Sequence, residues 1–494
     1  MMMRLQIKNA RVYDPKNGIN GELMDIFIEN GKLVEETRPE KIIDAEGKAA
    51  MAGGVDVHSH VATYGLSLAR FSLGFPTLPQ IAETYAKLGF THVNEPLASV
   101  ITAAYTHHEL SSIPLLDTST LVVLDMLDFL KLVREGDEKE AKNATLFTLD
   151  AAKAAAAKIY EPFVSPPARA ARRLGIEGMR MRLSTDTVLK FFSRLSENNN
   201  IPKIHLHATP SLLREDASVL SKYHISHLGT AIDAENQENA FKLLETRTPL
   251  DLGIYLDKRF RATEQNFKLA TRKEIAPKGR FLCITMGFSE PLMIYKDETD
   301  VENKKGTLLK TEMSLTLAVQ ALEHGLEGVC FSTDSPNGAL FYDYPKIFAI
   351  LLSRENRKEL KEHGLELPSE EYTLYELAAI TRSEPAAALH LEAKGHLGIG
   401  ADADIALYDI TENTPPSLLE KKLGGCETLI KGGELVIHNS KLLTPVHNLS
   451  VRKKTHFSRI EMNTEVESAG KSLLSRKSFR FEHLRVDEIF LKGS

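Results

Sequence analysis

Tryptophan is absent from the 494-residue chain, and cysteine occurs three times, as Cys283, Cys330 and Cys426. None of the three lies in a C-x-x-C pair, the usual spacing of iron–sulfur and cysteine-zinc sites. Three scattered thiols make no disulfide framework, so a reducing compartment, the cytoplasm, is expected. No run of about 18 apolar residues occurs, so no membrane span is expected. The opening MMMRLQIKNARVYDP lacks the apolar stretch of a secretory signal. Basic residues are not concentrated: the formal net charge is −6 with Lys and Arg scattered, which argues against a nucleic-acid partner. Internal repeats and low-complexity tracts are lacking too. What remains is a globular composition, 43% hydrophobic and 26% charged. The length suits a barrel of roughly 250 residues or more plus a second module.

Residues 1–52 read as short strands. Leu5–Val12 alternates polar and apolar, Asp14–Gly18 is a turn cluster, Met24–Glu29 alternates again, and Asn30-Gly31 is a hairpin turn. Lys41–Asp44 is a further strand. From Gly53 apolar runs alternate with helical stretches: Gly54–His58, Leu78–Leu88, Thr91–Glu95, a helical Thr145–Ala157, Lys158–Phe163, Thr185–Ser196 and Lys203–His207. That alternation implies a parallel sheet, and over residues 53–390 a (β/α)8 TIM-like barrel is the expected form. After Gly395–Gly400 the chain turns β-like again, with Ala403–Tyr408, Glu427–Ile430 and, past Lys431-Gly432-Gly433, Glu434–His438. The expected fold class is therefore α/β: the barrel, with a small β-sandwich domain built from both termini (1–52 and 391–450). A Lys-, Ser- and Arg-rich extension, 451–494, is expected to wrap the surface.

The strongest chemical signal is Gly53-Gly54-Val55-Asp56-Val57-His58-Ser59-His60. Residues two apart on a strand face one side. His58 and His60 can therefore point together from the end of a barrel strand, where barrel active sites sit. Neutral imidazole is a good ligand for zinc and similar ions. His205-Leu206-His207 is a second pair and Tyr223-His224-Ile225-Ser226-His227 a third cluster; each is also compatible with a half-buried strand. An apolar run ends at Ser332-Thr333-Asp334, followed by Ser335-Pro336-Asn337-Gly338. Taken alone, Asp334 reads as readily as a turn or helix-cap carboxylate.

H-x-H on a first strand, then His, then His, then Asp on a last strand resembles the amidohydrolase superfamily. By that resemblance His58, His60, His207, His227 and Asp334 are ligands to one or two Zn2+ ions, and Asp334 is also the general base. Members of that superfamily often carry a carboxylated lysine. Lys158 is the candidate for N6-carboxylysine and Lys153 its rival.

Several segments narrow the resemblance: Glu95-Pro96, Tyr105-Thr106-His107-His108-Glu109, Ile113–Asp117, Ile204–His207, Thr333–Gly338 with Tyr344-Pro345, and Tyr372–Glu376. They are similar to the A subunits of formylmethanofuran dehydrogenases and of formyltransferase/hydrolase complexes, which work in one-carbon metabolism. The resemblance implies metal-dependent hydrolysis, or reverse formation, of an N-formyl group on a methanofuran-type amine, inside a complex with other subunits. His107 and His108 are then candidates for contact with substrate, and Asn337 for cofactor binding. The chain departs from the family at Tyr105 and Ser335, where histidine is usual, at Glu161–Val164 in place of an Asn-Pro-Gly-Gly loop, and in a shortened region after His60. Two other readings share the frame: a dihydroorotase- or hydantoinase-like cyclic amide hydrolase, and a catalytically inactive structural subunit.

Overall fold

The computed structural model describes residues 4–63, 76–160, 183–197, 201–261, 283–285, 291–293, 301–411, 413–446, 451–474 and 486. The chain opens with Leu5–Asp14 (β1), Ile19–Glu29 (β2), Lys32–Val34 (β3), Lys41–Asp44 (β4) and Ala49–Ala52 (β5). In β1 the apolar alternation Leu5, Ile7 slips by one to Ala10, Val12. The slip is a bulge, where Asn9 takes a left-handed φ of 54° and all four apolar side chains stay in one core. Asn30 and Gly31, at φ 54° and 76°, make the tight β2–β3 turn that needs two left-handed residues.

The barrel strands follow as Gly54–Asp56 (β6), Phe90–Ala98 (β7), Asp117–Leu124 (β8), Ala156–Ile159 (β9), His205–His207 (β10), His224–Ser226 (β11) and Leu250–Asp251 (β12). A separate hairpin, Cys283–Thr285 (β13) and Pro291–Met293 (β14), precedes Val329–Cys330 (β15). Among the described residues, β6 to β12 and β15 form one eight-stranded sheet in which every pairing is parallel. It closes on itself past the ends of β6 and β15, where Ser59 bridges Ser335 and His60 N donates to Ser335 O at 2.8 Å. The glycine pair before β6 has a steric cause. A Cβ on Gly53 would lie 2.3 Å from Thr91 Oγ1, and one on Gly54 2.5 Å from the Phe90 ring.

The last strands are Ile405–Tyr408 (β16), Thr428–Lys431 (β17), Glu434–His438 (β18) and Lys441–Leu442 (β19). Antiparallel pairing of β5 with β16 joins both ends of the chain into one sheet, with its own core of Leu5, Ile7, Val12, Ile28, Ile405 and Leu407. The strands of this second domain thus span 5–52 and 405–442.

Two expectations need correction. The helix read over Thr145–Ala157 is Glu138–Ala152, ended by Lys153 at φ 45°. Ala156 and Ala157 are strand residues paired with Leu121 and Val122, so sheet pairing overrides alanine's preference for helix. Lys158 therefore lies inside β9 and does not open an apolar run; Phe163 lies outside the described residues. The extension after Val451 does more than wrap the surface. Thr455 bridges Thr118 near the start of β8, and Ser458 N donates to Ala154 O just before β9. The tail thus crosses the N-terminal face of the barrel. Its helix Thr464–Leu474 then packs Val466 and Gly470 on Phe147. No helix among the described residues is long and apolar enough to cross a membrane.

The barrel floor and the terminal sheet meet through buried charges. Lys394 Nζ reaches Asp117, Asp402 and Asp404, and Lys431 Nζ lies 3.0 Å from Asp117 and 3.3 Å from Asp404. Burial works against ionisation, but the two ammonium groups hold Asp117 and Asp404 below the ordinary carboxylate range. Breaking one partner of a buried network costs about 3–5 kcal/mol, because the remaining charges lose their compensation. Lys394→Met is expected to lower unfolding stability by that order, read as a shifted urea midpoint; an unchanged midpoint would show that Lys431 and solvent suffice.

Candidate metal centre

The C-terminal mouth of the barrel gathers most of the residues singled out from sequence. His58 and His60 leave β6, and Asp334 follows β15, so barrel closure sets them face to face. Asp334 Oδ1 lies 3.4 Å from His58 Nε2 and 3.2 Å from His60 Nε2. One ligand atom from each of the three lies within 4.8 Å of the others. Neighbouring ligands of a tetrahedral ion with bonds of about 2.1 Å stand about 3.4 Å apart, so the observed separations fit such an ion.

Lys158, His205 and His224 stand in register across β9, β10 and β11, and so face the barrel interior together. Lys158 Nζ comes within 3.4 Å of His58 Nε2. Burial lowers its pKa to about 8, although Asp334, Asp251 and Glu95 pull the other way. The rival Lys153 is elsewhere, paired with Asp150 at 2.5 Å.

His207, next inward-facing residue on β10, places Nδ1 2.8 Å from His227 Nε2, and the His227 ring lies 4.8 Å from that of His58. Burial pushes the pKa of His207 well down and that of His227 to about 3, so both rings are neutral. His227 and Asp334 adopt left-handed backbone, at φ 43° and 48°. Residues other than glycine adopt that region uncommonly, Asp and His less rarely than most. A Cβ on Gly253 would sit 2.3 Å from the His227 backbone, so glycine there is required by close approach.

Carboxylates back the histidine pair. Glu95 on β7 is wholly buried; its Oε1 meets His60 Nδ1 at 2.9 Å and its Oε2 accepts from Val61 N and Ala62 N at 2.7 Å each. Asp251 on β12 lies 3.3 Å from His58 Nδ1. Burial opposes its ionisation, but His58 and His224 hold its carboxyl well below the usual range. Sequence reading assigned neither carboxylate a role. Glu95 stood in a family motif, and Asp251 occupies a two-residue strand with no pattern around it. Behind β6, Asp56 Oδ1 accepts from His58 N at 3.0 Å while its Oδ2 takes the hydroxyls of Tyr85 and Tyr344.

Two candidates are not at the mouth. His107, on the helix Ala103–Ser111, is buried, with Nε2 2.9 Å from Ala152 O. Ala152 ends a helix before β9, so this contact is on the opposite, N-terminal side of the barrel. His108 is exposed on the same helix. The return helix of a β/α unit carries its residues away from the strand ends, so neither histidine joins the cluster of His58, His60 and Asp334. Asn337 is near the centre, but its side-chain amide donates to Asp334 Oδ2 at 3.0 Å. It thus holds the carboxylate.

His60 has a telling electrostatic position. Burial opposes its protonation, but Glu95 and Asp334 on either side raise its pKa to about 9. The spot between His60 and Asp334 favours positive charge, and an ion there must displace the proton. Below pH 9 the apparent affinity for Co2+ or Zn2+ is therefore expected to weaken as pH falls, by about tenfold per unit for one displaced proton. Titrations at two pH values between 6.5 and 8.5 check this; affinity independent of pH would contradict it.

The amidohydrolase family model matches residues 41–278 and 257–437. The chain is 26% identical over 564 residues to protein FwdA of Methanocaldococcus jannaschii, covering 98% of this chain and 97% of that protein. It is 26% identical over 508 residues to the A subunit of the formyltransferase/hydrolase complex Fhc of Methylorubrum extorquens, covering 89% of each. In three dimensions it resembles a chain of the FhcABCD complex from Methylorubrum extorquens, solved with methylofuran, at a TM-score of 0.79 and 24% identity, covering 99% of this chain and 97% of that one.

Proposed function

We propose, from the premise that the chain belongs to the amidohydrolase family, that it hydrolyses an N-formyl group on a methanofuran-type amine, or forms that group in reverse. It would do so as the A subunit of a formylmethanofuran dehydrogenase or formyltransferase/hydrolase complex. The observation that carries this reading is similarity running almost end to end to two proteins, one of them named for a formyltransferase/hydrolase complex. The cluster of His58, His60 and Asp334 supplies the matching chemistry and speaks against a purely structural subunit.

His58, His60, Asp334, His207 and His227 would hold the divalent ion or ions. An ion bound there supplies a Lewis acid and a water whose pKa falls to about 7. Asp334 would take the proton of the nucleophile, a role supported by its Oδ1 facing the two imidazoles and by Asn337 donating to its Oδ2. The same carboxyl can return the proton to the leaving amine. Lys158, with a pKa of about 8, has a substantial neutral fraction near neutral pH. A neutral amine can add its lone pair to CO2 and lose a proton, giving a carbamate that binds metal as a carboxylate does. Zinc and carboxylation of Lys158 are part of this proposal.

Asp334→Asn is expected to keep the fold and lower formate release from an N-formylated furan-amine by about 10²–10⁴-fold, the range for loss of a general base. The assay compares the isolated chain with the chain plus its companion subunits. Equal rates would remove Asp334 as the base. A metal-loaded wild type that releases no formate with its partners present would point to another amide substrate, such as a cyclic one. Lys158→Ala is expected to lower metal content and abolish any dependence of activity on added bicarbonate; a variant retaining full metal and activity would make Lys158 an ordinary buried lysine.

A further inference from the structure

Asp251 touches more of the centre's supports than any ligand candidate explains. It is fully buried. Its Oδ1 accepts from His227 N at 2.6 Å and from the Ser332 hydroxyl, two residues before Asp334. Its Oδ2 faces His58 Nδ1 at 3.3 Å and His224 Nε2 at 3.8 Å. His58 Nδ1 and Asp251 Oδ2 are both buried and have no hydrogen-bond partner among the described residues, so each is the nearest group of opposite character open to the other at 3.3 Å. One carboxylate thus reaches the segments that carry His58, His227 and Asp334.

We propose that Asp251 is the positioning residue of the metal centre, holding the His58 proton on Nδ1 so that the Nε2 lone pair faces Asp334 and the ion. This rests on the metal-centre reading above. The reason is one of donors and acceptors. An imidazole next to a carboxylate presents N–H to it, and the other nitrogen is then bare. Such a carboxylate behind a ligand histidine fixes its tautomer and orientation, and losing it typically costs about 10–100-fold in metal affinity. The bonds from His227 N and Ser332 keep the carboxylate from turning away, and they pin the left-handed turn at His227 to the same atom.

Asp251→Asn separates this role from simple packing. The amide keeps an oxygen for His227 N and Ser332 but sets an NH2 group against His58 Nδ1. Two donors cannot face each other, so the His58 proton moves to Nε2, the atom meant for metal. The test uses the full chain, stripped of metal by chelation and titrated with Co2+ followed by its visible absorption. The expected result is a folded D251N variant that binds Co2+ about 10–100-fold more weakly. A folded D251N variant with wild-type Co2+ affinity overturns the proposal. A measurement on wild type alone guards against a variant that fails to fold. The 15N spectrum of histidine-labelled, metal-free protein, assigned with His58→Gln, should show His58 protonated at Nδ1; protonation at Nε2 overturns the proposal. Failure of the underlying reading looks different: wild type itself would bind no Co2+, or His58→Ala would bind it as tightly as wild type.

Discussion

The hydrogen bond from His60 N to Ser335 O, with the Ser59–Ser335 bridge beside it, joins the first barrel strand to the last. Everything at the mouth depends on that closure. His58 and His60 are separated from Asp334 by more than half the chain, and only a sheet that returns on itself brings them within 3.4 Å. The glycine pair at 53 and 54 permits the close approach of β6 to Thr91 and Phe90 that starts the curl. On the outer side Asp56, held by Tyr85 and Tyr344, fastens the strand end to the helix that follows the Asp334 loop. The site is a consequence of how the barrel is seamed.

Bulky branched side chains usually fill such a barrel. This one instead carries Lys158, His205, His224, Asp251 and Ser332 on inward positions, all buried. A buried polar group is costly when unpaired, because it loses its solvation without return. Here the pairing is by charge and by backbone amides: Glu95 against His60, Val61 and Ala62, and Asp251 against His58 and His227. The floor repeats the principle with Lys394 and Lys431 among three aspartates, which ties the terminal sheet and the tail to the barrel. The mouth and the floor thus differ in purpose but use the same remedy for burial.

The architecture was legible because periodicity and glycine–asparagine turns are local signals, as in Leu5–Val12 and Asn30-Gly31. The H-x-H pair was legible for the same reason: a spacing of two on a strand needs no knowledge of distant contacts. The alanine run before Lys158 was misread because its conformation is imposed by pairing with Leu121 and Val122, far away in sequence. His107 and His108 sit on successive positions of one helix, so their neighbourhood gave no way to see that the helix runs back toward the floor. Asp251 was invisible. Its strand is two residues long, and its importance comes wholly from His58, His227 and Ser332, each just past the end of another strand.

X-ray absorption at the metal K-edge of the zinc- or cobalt-loaded full chain tests the central claim most directly, since it reads the ligand shell whatever the substrate. The account predicts nitrogen and oxygen neighbours only, at about 2.0–2.2 Å, with the outer-shell scattering of several imidazoles. Cys330 and Cys426 are buried and unpaired, and neither takes part in the centre described. A sulfur shell at about 2.3 Å, or a metal bound without imidazole scattering, would contradict it.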